Sequence, residues 1–145
     1  MLLQIDMKRI LLISIIAVFG LLSRPLQAQN FLLETPNPVD VFAPIGKYIQ
    51  SGDSEKLSAW FADNVELDIL GAVNNSTRNQ ARRIMKTFFN NYTPKQFNII
   101  HKSGKAPMKY AVGILDAGGE RFRIILYVKT NESRGYIQHF KVERE

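Results

Sequence analysis

From Phe97 to Glu143 the chain reads as one strand after another. Phe97–His101 runs into a Ser103-Gly104 turn region, and Met108–Leu115 is closed by Asp116-Ala117-Gly118-Gly119. Arg121–Lys129 is closed by residues 131–135, and Tyr136–Glu143 ends the series. Strand-forming segments joined by short glycine-containing connections can only reverse direction, so they predict an antiparallel meander. A sheet built this way has an apolar face that something else must cover.

The upstream residues supply that cover. Phe42, Ile45, Tyr48 and Ile49 recur at helical spacing. Asp40 is placed to cap this helix, Pro44 falls in its first turn, where proline is least harmful, and Gly52 ends it. Asp53 or Ser54 opens a second short helix with Leu57, Trp60 and Phe61 on one face, stopped at Asp63-Asn64. Val65–Leu70 alternates Val65, Leu67 and Ile69 against Glu66 and Asp68, the pattern of a half-buried strand. Residues 71–76 read as a loop. Thr77 with Gln80 forms a capping box, and Ala81, Ile84, Met85, Phe88, Phe89 and Tyr92 then give the clearest helical stripe in the chain. Ile84, Phe88 and Phe89 occupy its inward side, and Thr93-Pro94 ends it. Helices set against one antiparallel sheet define an α+β domain.

The N-terminus has a different character. Lys8 and Arg9 precede a 13-residue apolar run, Ile10–Leu22, followed by Ser23-Arg24-Pro25 and Leu26-Gln27-Ala28. This is the three-part layout of a secretory signal, with cleavage expected after Ala28. A spanning helix needs about 20 apolar residues, so the run is too short for an anchor and no membrane span is expected after cleavage. The organisation expected is a signal peptide over 1–28, a linker over 29–38 around Pro36 and Pro38, and one domain over 39–145. The protein is expected to be exported, to a periplasm or to the medium.

The chain has no cysteine, which excludes disulfides, thiolate metal sites and a cysteine nucleophile. Its net charge of +6 loses +2 with the leader, where Lys8, Arg9 and Arg24 stand against Asp6. The remainder is an ordinary solubility charge and makes nucleic acid an unexpected partner.

The element order resembles that of the nuclear-transport-factor-2-like (SnoaL-like) superfamily. Ile49-Gln50-Ser51-Gly52-Asp53, Val65–Gly71, Phe88-Phe89 and Tyr136-Ile137-Gln138-His139 more narrowly resemble the exported bacterial group called domain of unknown function 4783. The resemblance implies a cone-shaped fold, three N-terminal helices packed on a curved antiparallel sheet, with a pocket at the wide end. Enzymes of that shape place Asp, His, Tyr or Arg in the pocket, whereas many relatives are binding or dimerisation modules. Shape therefore does not decide activity.

The residues that could carry acid–base chemistry are few. Glu66 and Asp68 share a strand face, the one opposite the apolar side, which points them at solvent. His101 and His139 are the only histidines, and neither has a second ligand at metal spacing. Tyr127 is a further candidate, with Tyr110, Tyr136 and Arg123 as possible pocket lining. There is no Gly-x-Ser-x-Gly elbow, phosphate loop or dinucleotide fingerprint, so neither cofactor nor metal is expected.

Charge order is more irregular. No acid occurs between Ile69 and Leu115, while that span holds eight basic residues, among them Arg78, Arg82, Arg83 and Lys86 on the third helix. A solvated face explains them, and so does a docking surface for anionic lipid or glycan. The late strands are apolar on both faces, which predicts a homodimer packed through Ala111, Leu115, Ile125 and Tyr127. The sequence thus favours a non-enzymatic exported binding or assembly module. The alternative is a pocket enzyme of the isomerase, dehydratase or hydrolase type.

Overall fold

The computed structural model describes residues 40–131 and 134–145, so the leader and linker expected over 1–38 lie outside it. The elements are α1 (Phe42–Ser51), α2 (Ser54–Ser58), β1 (Phe61–Ile69), β2 (Ala72–Thr77), α3 (Arg78–Asn91), β3 (Pro94–Lys105), β4 (Met108–Ala117), β5 (Glu120–Thr130) and β6 (Gly135–Arg144). Asp53 and Thr77 cap their helices where the sequence puts them, whereas the N-cap of α1 is Val41, one residue after the expected Asp40. Asp40 Oδ1 accepts the Phe42 amide at 3.0 Å, and Asp53 Oδ1 accepts the Lys56 amide at 2.9 Å. Thr77 and Gln80 form the reciprocal capping box of α3. Gly52 ends α1 at φ 65°, a left-handed conformation that costs glycine little.

The strands form one curved six-stranded sheet in the order β2-β1-β6-β5-β4-β3. β3 to β6 are the expected antiparallel meander. Several features differ from expectation. Residues 72–77 are a strand, paired antiparallel with β1. Five of its six residues are exposed, and an edge strand that buries so little carries no apolar alternation to read. β1 begins at Phe61 rather than Val65, so Phe61 and Asp63-Asn64 belong to the strand and not to the end of a helix. Finally, β1 runs parallel to β6, making the sheet mixed. Only α1 and α2 precede the first strand, and α3 follows the first hairpin, so the three helices are not all N-terminal.

One face of the sheet is the core. Phe61, Val65 and Leu67 from β1, Ala111 and Leu115 from β4, Phe122, Ile124, Leu126 and Val128 from β5, and Phe140 and Val142 from β6 are all buried there. α3 lays Ala81, Met85, Phe88 and Phe89 on this face, with Ile84 half-buried at its margin. Phe88 meets Phe122 and Tyr92 at ring separations of 5.4 and 5.2 Å. Gly113 has no side chain for a reason: a Cβ there would overlap the ring of Phe97.

α1 is tied to the edge strand β3 by Lys102 Nζ donating to Asp40 Oδ2 at 2.5 Å. That ammonium, helped by the Phe42 and Ala43 amides, holds Asp40 below the usual aspartate range. A carboxylate depressed in the folded state contributes stability above its ordinary value of 3.8 and loses it as pH falls through the lower folded value. Both side chains are 45% exposed, so the pair is worth about 1 kcal/mol at most. Asp40→Asn is therefore expected to lower the thermal midpoint slightly at pH 7. The gap from wild type should close as the melts are repeated at increasingly acid pH. A gap that persists in strong acid would show that the charge is not its source.

Candidate functional site

The other face of the sheet carries the polar residues that the sequence singles out. Register places Glu66 opposite His139, His139 opposite Tyr127, and Tyr127 opposite Tyr110. These four form a row across β1, β6, β5 and β4. The rings succeed one another at 5.6 Å (His139 to Tyr127) and 5.1 Å (Tyr127 to Tyr110), and His101 on β3 meets Tyr110 at 6.1 Å. His139 Nδ1 lies 3.2 Å from Glu66 Oε1. Beside this row, Asp68 lies 3.8 Å from Lys141 Nζ, which is also 3.2 Å from Glu143. Glu143, and then Asp68, hold Lys141 above the usual lysine range.

The fold therefore brings Glu66, His139 and Tyr127 together, puts Asp68 next to them, and leaves His101 at the far end. It does so on the outside of the sheet. The space between the inner face and α3 is filled by Phe61, Phe122, Leu126 and Phe140 of the sheet and Met85 and Phe88 of the helix, and none of the five acid–base candidates reaches it. The Glu66–His139 pair has the layout of an oriented general base, with a carboxylate on one ring nitrogen and the other left over. That other nitrogen, Nε2, is buried and has no hydrogen-bond partner among the described residues. Among the described residues no group of three or more His, Cys, Asp or Glu could hold a metal ion.

The expected dimer face needs one correction. Ile125 and Tyr127 lie on the outer face, but Ala111 and Leu115 do not. They pair with Leu126 and Phe122 and are buried in the core. The outward residues of β4 are Tyr110, Val112 and Ile114, opposite Tyr127, Ile125 and Arg123. β4 is apolar at both parities, so alternation cannot orient it. The Gly118-Gly119 turn could have done so. It makes Ala117 and Glu120 the closing pair, which sets Leu115 against Phe122 and fixes every pair beyond.

Most of the charges around this apolar centre are paired within the face; Lys129 has no ion pair among the described residues. Arg121 reaches Asp116 at 3.4 Å and Glu145 at 3.2 Å, and Arg123 reaches Glu145 at 3.7 Å. The basic residues of α3 behave unequally. Arg78 binds Asp63 at 3.0 Å and the Phe61 carbonyl at 3.1 Å, and Arg82 binds Glu55 at 2.7 Å. Arg83 and Lys86 are exposed and have no ion pair among the described residues.

A curved sheet with helices on one face and an aromatic, charge-paired outer face defines a small α+β protein of the nuclear-transport-factor-2-like fold. The chain belongs to the family described as Domain of unknown function (DUF4783), whose model matches residues 42–143. A family protein of known structure from Bacteroides uniformis is 20% identical, with TM-score 0.67 over 70% of this chain and 94% of its own. Another, from Bacteroides fragilis, is 20% identical with TM-score 0.66 over 71% and 97%. A nuclear-transport-factor-2-like protein of unknown function from Shewanella baltica shares 10% identity and a TM-score of 0.57 over 74% and 90%. These likenesses establish the fold. No curated protein matches the chain.

Proposed function

We propose that this protein is an exported, non-enzymatic assembly module that pairs with a second copy of itself through the outer face of its sheet. The observation that carries the reading is the composition of that face at β4 and β5. Tyr110, Val112, Ile114, Ile125 and Tyr127 stand where a strand facing only water would carry polar residues. None of α1, α2 and α3 is available to cover them, because the buried side chains of all three belong to the core on the other side. Tyr127 is 41% exposed and Tyr110 and Ile125 are half-buried, whereas Val112 and Ile114 are already buried within the single chain. A second copy suits this face better than a strongly charged partner. Most of its acids and bases already pair with one another, Lys129 at its margin excepted, so burial of the centre strands little charge. Interfaces of this mixed character support affinities in roughly the micromolar range. Light scattering across a concentration series should show a reversible rise from one chain mass to two. A single-chain mass up to millimolar concentration would overturn the reading.

Export rests on the basic residues Lys8 and Arg9, the apolar run Ile10–Leu22 and the small Ala28. Protein recovered from the envelope or medium should begin at Gln29 by intact-mass analysis. A chain that retains Ile10–Leu22 would replace export by anchoring.

A further inference from the structure

We infer that the groove between β2 and α3 is a binding site for an acidic sugar, about one ring in size. The groove encloses about 270 Å³ and is lined by Asn74, Asn75, Ser76, Gln80, Arg83 and Ile84. It lies away from the proposed pairing face. Asn74 and Ser76 sit opposite Leu67 and Val65 of the core face, and Asn75, opposite Glu66, lies on the edge strand three places from β5. The groove therefore stays open whether or not the chain pairs, and the inference stands independently of the pairing.

Three features choose the ligand. The lining holds the carboxamides of Asn74 and Asn75 and the Ser76 hydroxyl, groups that donate and accept at once and so match a ring bearing several hydroxyls, while the Gln80 oxygen is engaged in the capping box. It holds one formal charge, the Arg83 guanidinium, and no acid. Arg83 is also free in a way its neighbours are not, because Arg78 and Arg82 are held by Asp63 and Glu55. A planar guanidinium without an acid partner, at the edge of a polar groove, is suited to a carboxylate. Half-buried Ile84 offers the apolar surface on which the C–H face of a sugar ring can rest. The volume is just below the usual range for drug-sized pockets, about 300–1,000 Å³, which fits a single terminal residue and not a chain of them.

The test is a titration with D-glucuronate, followed by amide chemical shifts on protein purified from expression of the full sequence. Shifts are expected at Asn74–Ser76 and Gln80–Ile84, saturating in the millimolar range, with glucose and acetate each binding at least tenfold more weakly. Arg83→Ala should weaken glucuronate binding at least tenfold, the order expected for losing a hydrogen bond to a charged group. Lys86→Ala, one turn further along and not part of the lining, should change it less than twofold. Unchanged thermal midpoints would show that both variants are folded. Absence of shifts at 50 mM glucuronate would overturn the proposal. So would acetate or inorganic phosphate binding as well as glucuronate, which would make the site a simple anion site. Capture by phosphatidylglycerol vesicles through Arg83 without any sugar binding would assign the groove to a lipid surface instead.

Discussion

Phe88→Ala is expected to cost about 3–5 kcal/mol of folding stability, the range for removing a large aromatic from a packed core. Phe88 is 3% exposed on the inward side of α3, and its ring touches those of Phe89, Tyr92 and Phe122. Its loss removes the buried area and leaves a space that α3, pinned at its start by the Thr77–Gln80 box, cannot easily close. For a domain with typical stability of 5–15 kcal/mol this is a large fraction of the total. A useful control is Arg83→Ala on the exposed side of the same helix, expected within about 0.5 kcal/mol. Arg82→Ala is a poorer control than its place on the helix suggests. The residue reaches across to Glu55 on α2, and its removal is expected to cost up to about 1 kcal/mol. Urea melts that gave Phe88→Ala and Arg83→Ala similar midpoints would mean that α3 is rotated about its axis.

Ile125→Glu is expected to leave a folded single chain where the wild type pairs. Ile125 is half-buried at the middle of the outer face, opposite Val112 and two residues from Tyr127. In the free chain a glutamate there is solvated and costs little. In a paired sheet it would be an uncompensated charge held between apolar surfaces, for which a penalty of about 3–5 kcal/mol is typical. That corresponds to more than a hundredfold in dissociation constant. Light scattering should report one chain mass at concentrations where the wild type reports two, with far-UV circular dichroism unchanged. A variant that pairs as tightly as wild type would remove the outer face from consideration.

The fold was legible in the sequence wherever periodicity met a boundary signal. α3 is the clearest case. The Thr77–Gln80 box, the stripe from Ala81 to Phe89 and Pro94 beyond its end together specify start, facing and stop. β2 was not legible, because Asn74, Asn75, Ser76 and Thr77 have neither the composition nor the alternation of a strand. They pair only because β1 offers them an edge. The parallel contact between β1 and β6 was invisible for a related reason: no local residue records which distant strand lies alongside. In the candidate site, Glu66, Asp68, His139 and Tyr127 stand out singly in the sequence, yet the row of Glu66, His139 and Tyr127 with Asp68 beside it is a property of register. Ala111 and Leu115 were placed on the wrong face because β4 is apolar in both parities, and only the turn after it resolves which side is which. The groove at Arg83 had a sequence signal, the stretch without acids. That stretch does not separate Arg83 and Lys86 from Arg78 and Arg82, whose partners are distant in the chain.

The position of β6 matters to a chain that is still being made. Residues 135–144 are synthesised after every other strand of the sheet, yet they lie between β1 and β5, in its interior. Until they leave the ribosome, α1, α2, α3 and the β1–β2 hairpin have no strand to join them to β3–β5. The β1 and β5 edges, which will be innermost in the finished sheet, are both open. Contacts that close over so long a stretch of sequence form late, because the loop entropy must be met before they give anything back. Unpaired edges of this kind are also where chains stick to one another. A chain of this protein in which β6 has yet to be made thus presents two open strand edges and is poorly suited to waiting unaccompanied.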